Sequence, residues 1–529
     1  MQKIDHKNII LTGFMGTGKT TVGKMLAARL GREFVDTDSL IEARQGRTIP
    51  EIFREAGEVA FRQMEAELAR ELGARDGLIV STGGRFMLDP ANVKALAHTG
   101  RVFCLVATPQ EILARVKKDS AHRRPLLEVS DPSQQIVELL EVRKRGYQRF
   151  LKIKTTGKSP EAVTDELLDL LQRAPEQFAV ENPVQPYACV VGNGILPFIR
   201  QLTGADGMVV VITDANVGRL YGQSCGKIDR IITIPEGRQH KTMATVQAIY
   251  EQLIDFGFDR SGTIVALGGS VVGDIAGFVA GTYMRGVDFV QCPTSLLAMA
   301  DTSIGDKTGL DLPQGRNLIG IFKQPAMVIA DVATLRSLPA REFSSAMAEI
   351  VKHGLLADCG LFEKLEGANW QQGSDFLQAL PALQALIAQA IRVKIAIVEA
   401  DPFAHGKQSV LNLGHSFAHA IEQVSRQDIR HGEAVAMGLI AAINLSVRLG
   451  YCQLPLQERV EAVFRKIGLP TRIPGDLSPE RIFQAMGSDK KRLAGSLPIV
   501  LLRALGQPLV ARNIADQEIL ASLQELVNH

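Results

Sequence analysis

Two stretches of this chain hold residues whose types and spacing suit chemistry. Residues 11–21 read LTGFMGTGKTT, and Gly13 to Thr20 satisfy GxxxxGK[ST] between an apolar run and a helical pattern. In such a loop the backbone amides around Gly13, Gly16, Thr17, Gly18 and Thr21 wrap phosphates, Lys19 reaches the β and γ oxygens, and Thr20 ligates Mg2+. Far downstream, Glu349 and Lys352 share a helix face at i, i+3, and His415 and His419 share another one turn apart. His431 follows a short polar segment. One carboxylate and two imidazoles make a site with open positions, suited to Zn2+ as a Lewis acid.

Other positions fall around these two. Asp36 and Asp38 follow a short apolar run, where one carboxylate suits Mg2+ water and the other a substrate hydroxyl. Arg54, Arg62, Arg123, Arg124 and Arg143, with Glu58, Tyr147 and the pair Gly83-Gly84, suit a small anionic acceptor, because arginine binds carboxylates in bidentate fashion. Residues 263–274 read TIVALGGSVVGD, a strand, a glycine turn and a helix start whose amides can hold pyrophosphate; Asp214 and Asn216, after another apolar run, offer a carboxylate for a ribose. A phosphate loop followed by a separate metal and dinucleotide site implies two fused activities.

The elements that position these residues are legible as patterns. At 529 residues the chain suits two or three domains, and 46% hydrophobic with 22% charged residues is a globular composition. A formal charge of +2 gives no reason to expect nucleic acid or an anionic membrane as partner. The six cysteines are scattered without a CxxC pair, so free buried thiols are expected. No long uncharged apolar run and no leader pattern is apparent, so no membrane span and a cytoplasmic location are expected. Short apolar runs at 8–12, 33–36, 77–81 and 101–107 alternate with helical patterns, which predicts a parallel α/β sheet over 1–172. Residues 173–186 hold three prolines and read as a linker. Strands are expected again at 207–213, 228–234 and 263–267, then long helices around 340–355, 375–400, 410–450 and 455–468. The fold class is α/β: a phosphate-loop domain at 1–172, then 187–529 as an α/β nucleotide-binding part (187–335) and an α-helical metal part (336–529), with a cleft between those parts.

The motifs GFMGTGKT, VDTDSLIE, IFREAGEVAFRQME, STGG, RRPLL and RKRGY occur in an order that resembles shikimate kinase over residues 1–172. The resemblance implies a P-loop kinase that phosphorylates shikimate with ATP and Mg2+. It places Asp38, Arg62, Gly83, Gly84 and Arg143 on shikimate, Asp36 with Thr20 at Mg2+, and Arg124 on a lid over ATP. Lys19 and Asp38 carry the catalysis by charge neutralisation and by orienting or deprotonating the acceptor hydroxyl. The family has a third glycine where this chain has Arg85, which projects a side chain beside the acceptor pocket.

LGGSVVGDIAGFVAGTYMRG, PTSLLAMADTSIGDKTG, GRNLIGIFKQP, AMAEIVKHGL, LNLGHSFAHAIE, HGEAVAMG and SDKK resemble 3-dehydroquinate synthase over 187–529. That resemblance implies Zn2+ (or Co2+) on Glu349, His415 and His431. It implies NAD+ on Asp214, Asn216, Lys241, Gly269, Ser270, Val271, Asp274, Thr294, Ser295 and Lys307. Arg285, Lys307 and Asn317 would hold the phosphate of a seven-carbon keto-acid phosphate, 3-deoxy-D-arabino-heptulosonate 7-phosphate. Asp301, Lys352, Lys394, Asn412, His419, Lys490 and Lys491 would surround the rest. The family reaction oxidises one carbinol transiently, eliminates phosphate, returns the hydride and closes the carbocycle, so NAD+ is not consumed. A homodimer through the synthase part is also implied.

Departures from the family pattern are Arg238 for a Glu at the cofactor ribose, Ser270 and Asp306 for glycines, and Ala404 and Gln408 for a Glu and an Arg at the substrate. Gln for Arg removes a charge, worth about 1.5–3 kcal/mol if a charged hydrogen bond is lost. Two alternatives for the C-terminal part stand beside the main reading: a sugar-phosphate cyclase with another substrate, and a non-catalytic ligand-binding module.

Overall fold

The computed structural model describes residues 4–97, 99–118, 127, 129–368, 370, 376–403, 405–425, 429–487 and 498–527. They form two compact bodies. One comprises 1–267, 274–292 and 306–331, the other 268–273, 293–305 and 332–529.

The first body contains two sheets. β1 (Asn8–Gly13), β2 (Phe34–Asp36), β3 (Ile79–Ser81), β4 (Gly100–Val106) and β5 (Leu151–Lys154) form a five-stranded parallel sheet in the order β2-β3-β1-β4-β5. Ile9 sits opposite both Ile79 and Arg101, in the middle of the sheet. β1 is buried at every position, as a strand covered by helices on both faces must be.

The second sheet contains β6 (Glu176–Val180), β7 (Tyr187–Gly192), β8 (Val209–Asp214), β9 (Arg230–Ile234), β10 (Thr263–Gly268), β11 (Asp288–Pro293) and β14 (Met327–Asp331), in the order β6-β7-β14-β11-β10-β8-β9. β6 pairs antiparallel to β7. The stretch 173–186, read from its prolines as a linker, therefore contains one of the two edge strands of this sheet. The prolines flank β6 at Pro175, Pro183 and Pro186, where no ladder amide is needed. A single apolar cluster runs from the first sheet to the second: Leu151, Ile153, Leu167 and Leu171 belong to it together with Ala188, Val190, Ile199 and Leu202. An antiparallel hairpin, β12 (Lys307–Leu312) with β13 (Gly315–Phe322), completes this body. The sequence reading missed the hairpin because β13 has no fully buried position, and its half-covered residues Ile319 and Ile321 alternate with exposed ones only over its last five positions.

The second body is mostly helical. Ala340–Ala357 is buried along nearly its whole length, as is His431–Arg448. A small hairpin, β15 (Ile499–Ala504) with β16 (Gln507–Ala511), was also unanticipated. Ala379–Glu399 is long and apolar enough to cross a membrane, against the sequence expectation of none. About half of it is buried within the fold, and Lys394 on it pairs with Asp301, as suits a core helix.

Candidate active sites

In the first sheet the phosphate loop leaves β1 and enters the helix Lys19–Leu30. Gly13, Gly16 and Gly18 take φ of 133°, 74° and 95°, which turns successive amides inward at no steric cost. Thr17 is buried and donates to Phe14 O at 2.8 Å. Lys19 Nζ donates to Gly13 O (3.0 Å) and Phe14 O (2.9 Å), so its ammonium lies against the loop it serves. Thr20 Oγ1 donates to Asp36 Oδ2 at 3.0 Å, which pairs the hydroxyl and carboxylate expected at Mg2+. Thr21 is exposed in the first helical turn.

The acceptor side is assembled around Gly83 and Gly84. A Cβ on Gly83 would stand 2.5 Å from Asp38 Oδ1, and one on Gly84 would stand 3.2 Å from Arg143 Nη1. A side chain at either glycine would therefore press on the end of Asp38 or of Arg143, which would have to shift. Burial first, then the charge of Asp36, pushes the Asp38 carboxyl up to about 6. Such a carboxylate is ionised at neutral pH yet basic enough to take a proton. Arg143 is buried with its guanidinium 5.1 Å from the centre of the Phe14 ring. Arg62 donates to buried Glu65 at 2.6 Å and to Glu58 at 3.1 Å. Arg54 is exposed and pairs with Glu55. Arg123 and Arg124 lie outside the described residues.

In the second sheet, Asp214 Oδ1 accepts the amides of Asn216 (3.0 Å) and Val217 (2.9 Å), so the carboxylate expected at a ribose also caps the helix Ala215–Tyr221. Lys241, 2% exposed, donates to Asp274 Oδ2 and to Asn317 Oδ1, each at 2.5 Å. Arg238 forms a bidentate pair with Asp311, at 2.8 and 3.3 Å. Asp311 escaped the sequence reading, since nothing in LDLPQ singles it out. Burial opposes its charge, yet the Asn317 amide (2.8 Å) and Arg238 hold the carboxyl below its usual range. Arg285 and Asn317, both expected at the substrate phosphate, have left-handed φ of 65° and 52°. Strain of that kind in non-glycine residues is retained where surrounding structure demands it. Lys307 is exposed at the start of β12. Asp306, in place of a glycine, accepts from Gln324 Nε2 at 3.1 Å and so ties the base of the hairpin.

Within the second body, the glycine turn at Gly268–Gly269 opens the helix Ser270–Thr282, with Ser270 and Val271 in its first turn. Thr294 N donates to Gly268 O at 2.9 Å, and a Cβ on Gly269 would lie 3.6 Å from Ser295 Oγ. The turn and the Thr294-Ser295 pair are therefore neighbours.

The metal-type cluster draws on three helices. Glu349, fully buried, has its Oε1 3.3 Å from His415 Nε2 and 3.5 Å from His431 Nε2. The other ring nitrogens are engaged: His415 Nδ1 donates to Leu413 O (3.2 Å) and His431 Nδ1 to Glu422 Oε1 (3.1 Å). This fixes both rings with Nε2 turned toward the carboxylate, the outer-shell arrangement that orients metal-ligating histidines. Burial opposes charge on His431, but Glu349 and Glu422 raise it to about 10. A dication at Nε2 would take the place of that proton. The donor set fits Zn2+ or Co2+. Glu422 was missed, and its signal was available: it lies in HSFAHAIE, on the helix His415–Val424 that also carries His415.

Around this cluster Lys352 pairs with Glu349, and Lys394 donates to Asp301 Oδ1 at 2.6 Å. Burial works to raise the Asp301 carboxyl, but Lys394 and Lys352 overcome it and hold it at about 2. Asp301 sits in a π-helical turn, Ala298–Thr302, an irregularity common at functional sites. The His419 ring lies 5.5 Å from His415 and 6.5 Å from His431. Asn412 ends the short turn Lys407–Asn412 that precedes His415. Gln408 turns its side chain to Asp401 O (2.7 Å). His353, a turn after Glu349, is fully buried 4.0 Å from Asp301, and burial lowers it to about 4, so it is a neutral imidazole. The sequence reading gave it no role. Ala404, Lys490 and Lys491 lie outside the described residues.

Comparison with known proteins gives a consistent picture. Residues 15–172 match the family model for shikimate kinase. Residues 231–345 match the N-terminal model of 3-dehydroquinate synthase, and 346–492 the C-terminal one. The chain is 40% identical over 367 residues to a 3-dehydroquinate synthase of Synechococcus sp., covering 66% of this chain and 99% of that protein. It is 40% identical over 356 residues to that of Halorhodospira halophila, again covering 66% and 99%. Among solved structures, 2-deoxy-scyllo-inosose synthase complexed with carbaglucose-6-phosphate, NAD+ and Co2+ is similar at TM-score 0.57 and 25% identity, covering 66% of this chain and 99% of that one. A 2-epi-5-epi-valiolone synthase from Streptomyces hygroscopicus with NAD+ and Zn2+ bound is similar at 0.58 and 25%, covering 64% and 96%.

Proposed function

The chain belongs to the 3-dehydroquinate synthase family and carries a shikimate kinase domain ahead of it, and from that premise we propose how its residues divide the work of a bifunctional shikimate-pathway enzyme. The kinase domain is read as 1–172 and the synthase as the part that follows, with β6 (Glu176–Val180) included in its sheet.

In the kinase, the loop amides of Gly13–Thr21 and Lys19 hold the ATP phosphates. Thr20 and Asp36 hold the Mg2+ that accompanies ATP and neutralises charge at the phosphates. Arg62 and Arg143 bind the shikimate carboxylate, Gly83 and Gly84 allow the acceptor to approach, Asp38 takes the proton from the accepting hydroxyl, and Arg124 closes over ATP.

In the synthase, Asp214, Asn216, Lys241, Gly269, Ser270, Val271, Asp274, Thr294 and Ser295 hold NAD+, and Glu349, His415 and His431 hold Zn2+, for which Co2+ can substitute. When bound there, NAD+ supplies reversible hydride transfer and the dication polarises the alcohol oxygen. Arg285, Lys307 and Asn317 bind the phosphate of the keto-acid substrate. Asp301, Lys352, Lys394, Asn412 and the pair Lys490-Lys491 orient its hydroxyls and carboxylate, and His419 moves a proton. The observation that carries this reading is the cluster in which both Nε2 atoms face one buried carboxylate while both Nδ1 atoms are anchored. A different sugar phosphate as substrate is the weaker reading: the synthase relatives are 40% identical, the other cyclases 25%. We further infer a cytoplasmic homodimer. Leu318 and Phe322 stand exposed on one face of β13, an apolar pair suited to a second copy.

The test uses the full chain with NAD+, Zn2+ and 3-deoxy-D-arabino-heptulosonate 7-phosphate, following 3-dehydroquinate by its absorbance after dehydration. Product that vanishes in Glu349→Ala is expected. No product from protein that still phosphorylates shikimate would overturn the synthase reading.

A further inference from the structure

Arg85 stands where the kinase family has its third glycine, and its contacts connect it to the acceptor-binding residues. The chain passes from Gly83, against Asp38, to Gly84, against Arg143, and then to Arg85. Arg85 Nη1 donates to Glu58 Oε1 at 2.8 Å, and the same oxygen accepts from Arg62 Nη2 at 3.1 Å. Arg62 in turn holds Glu65. Glu58 follows directly on Gly57, which breaks the helix Ile49–Gly73 with φ 81° and ψ 171°. The break sets Glu58 at the start of a new helical run, where it receives both guanidinium groups. Arg85 is 52% exposed at its side chain, so it is not buried structural cement.

We propose that Arg85 is a specificity-determining residue of the kinase: a third guanidinium on the acceptor side, held beside Arg62 by Glu58, that selects an acceptor carrying a carboxylate. The inference rests on the shikimate kinase reading above. An incoming carboxylate competes with Glu58 for both arginines, and charge-assisted bonds to two forked donors favour an anion over a neutral acceptor of the same shape. A glycine in this position offers only its amide.

Steady-state kinetics of the full chain at saturating MgATP test this, with shikimate and its neutral methyl ester compared as acceptors, or the ester as competitive inhibitor where it is not turned over. Arg85→Gln is expected to raise KM for shikimate about fivefold, a modest value because the group is half exposed. It leaves kcat, KM for ATP and the ester's KM or Ki within about twofold, and Arg85→Lys recovers part of the loss, since a point charge replaces the fork. An equal effect on acid and ester, or none on shikimate, overturns the role of Arg85 while leaving the kinase in place. Failure of the unaltered protein to phosphorylate shikimate would instead overturn the kinase reading itself.

Discussion

In the kinase domain, every group expected at the ATP phosphates except Arg124 lies between Gly13 and Thr21, on one strand-to-helix connection. In the synthase, the three metal-type ligands come from positions 349, 415 and 431, on three separate helices. The first site is local: its geometry follows from glycine dihedrals and from the amides of a helix start, so it forms wherever that connection forms. The second is held by packing, and its carboxylate is tolerated in a buried setting because Lys352 and two imidazoles surround it. A local site keeps its shape when distant packing changes, whereas a packed site depends on outer contacts such as Glu422 on His431.

The largest effects should separate the two activities outright. Glu349→Ala is expected to remove synthase turnover by about a thousandfold or more while shikimate phosphorylation stays unchanged, and Lys19→Ala to do the reverse; loss of both in either variant would mean that the sites are not independent. Chelation of metal followed by dialysis should silence the synthase, with Zn2+ or Co2+ restoring it. Glu422→Gln is expected to weaken Zn2+ binding about 10- to 100-fold by metal titration, the usual cost of losing an outer-shell anchor. An unchanged affinity would show that His431 needs no such support.

Smaller effects sharpen the comparison. Leu171→Ala, in the cluster that spans both sheets of the first body, should cost about 2–5 kcal/mol and lower the melting temperature seen by either activity together. Separate transitions would mean that the kinase and nucleotide-binding sheets unfold independently. Arg238→Ala frees Asp311 beside Lys241, and a few-fold rise in KM for NAD+ is expected with the kinase unaffected, a size typical of a half-exposed ion pair.

Much of this was legible in the residues, for reasons that differ by element. The parallel strands read as unbroken apolar runs because both faces are covered, and the ends of β1, β3, β8 and β10 fell within a residue or two of expectation. β6 was lost to its flanking prolines, and β13 to the lack of any fully buried position. At the sites, motif residues were named but some of their keepers were not. Glu58, named beside Arg62, holds it as an i, i+4 pair, whereas Asp311 and Glu422 hold Arg238 and His431 through contacts that no spacing rule marks.

The sequence by itself determined the phosphate loop and the alternation of strands and helices, because these depend on neighbouring residues and helical period; it offered Glu349 and the nearby histidines as metal candidates, and the packing of three helices brought Glu349, His415 and His431 together. Tertiary structure alone decided that Arg85 meets Glu58 and Arg62, that Arg238 meets Asp311 in place of a free cofactor position, and that β6 joins the second sheet. Those outcomes rest on pairings between charges and strands distant along the chain, which only the packed fold brings within hydrogen-bonding range.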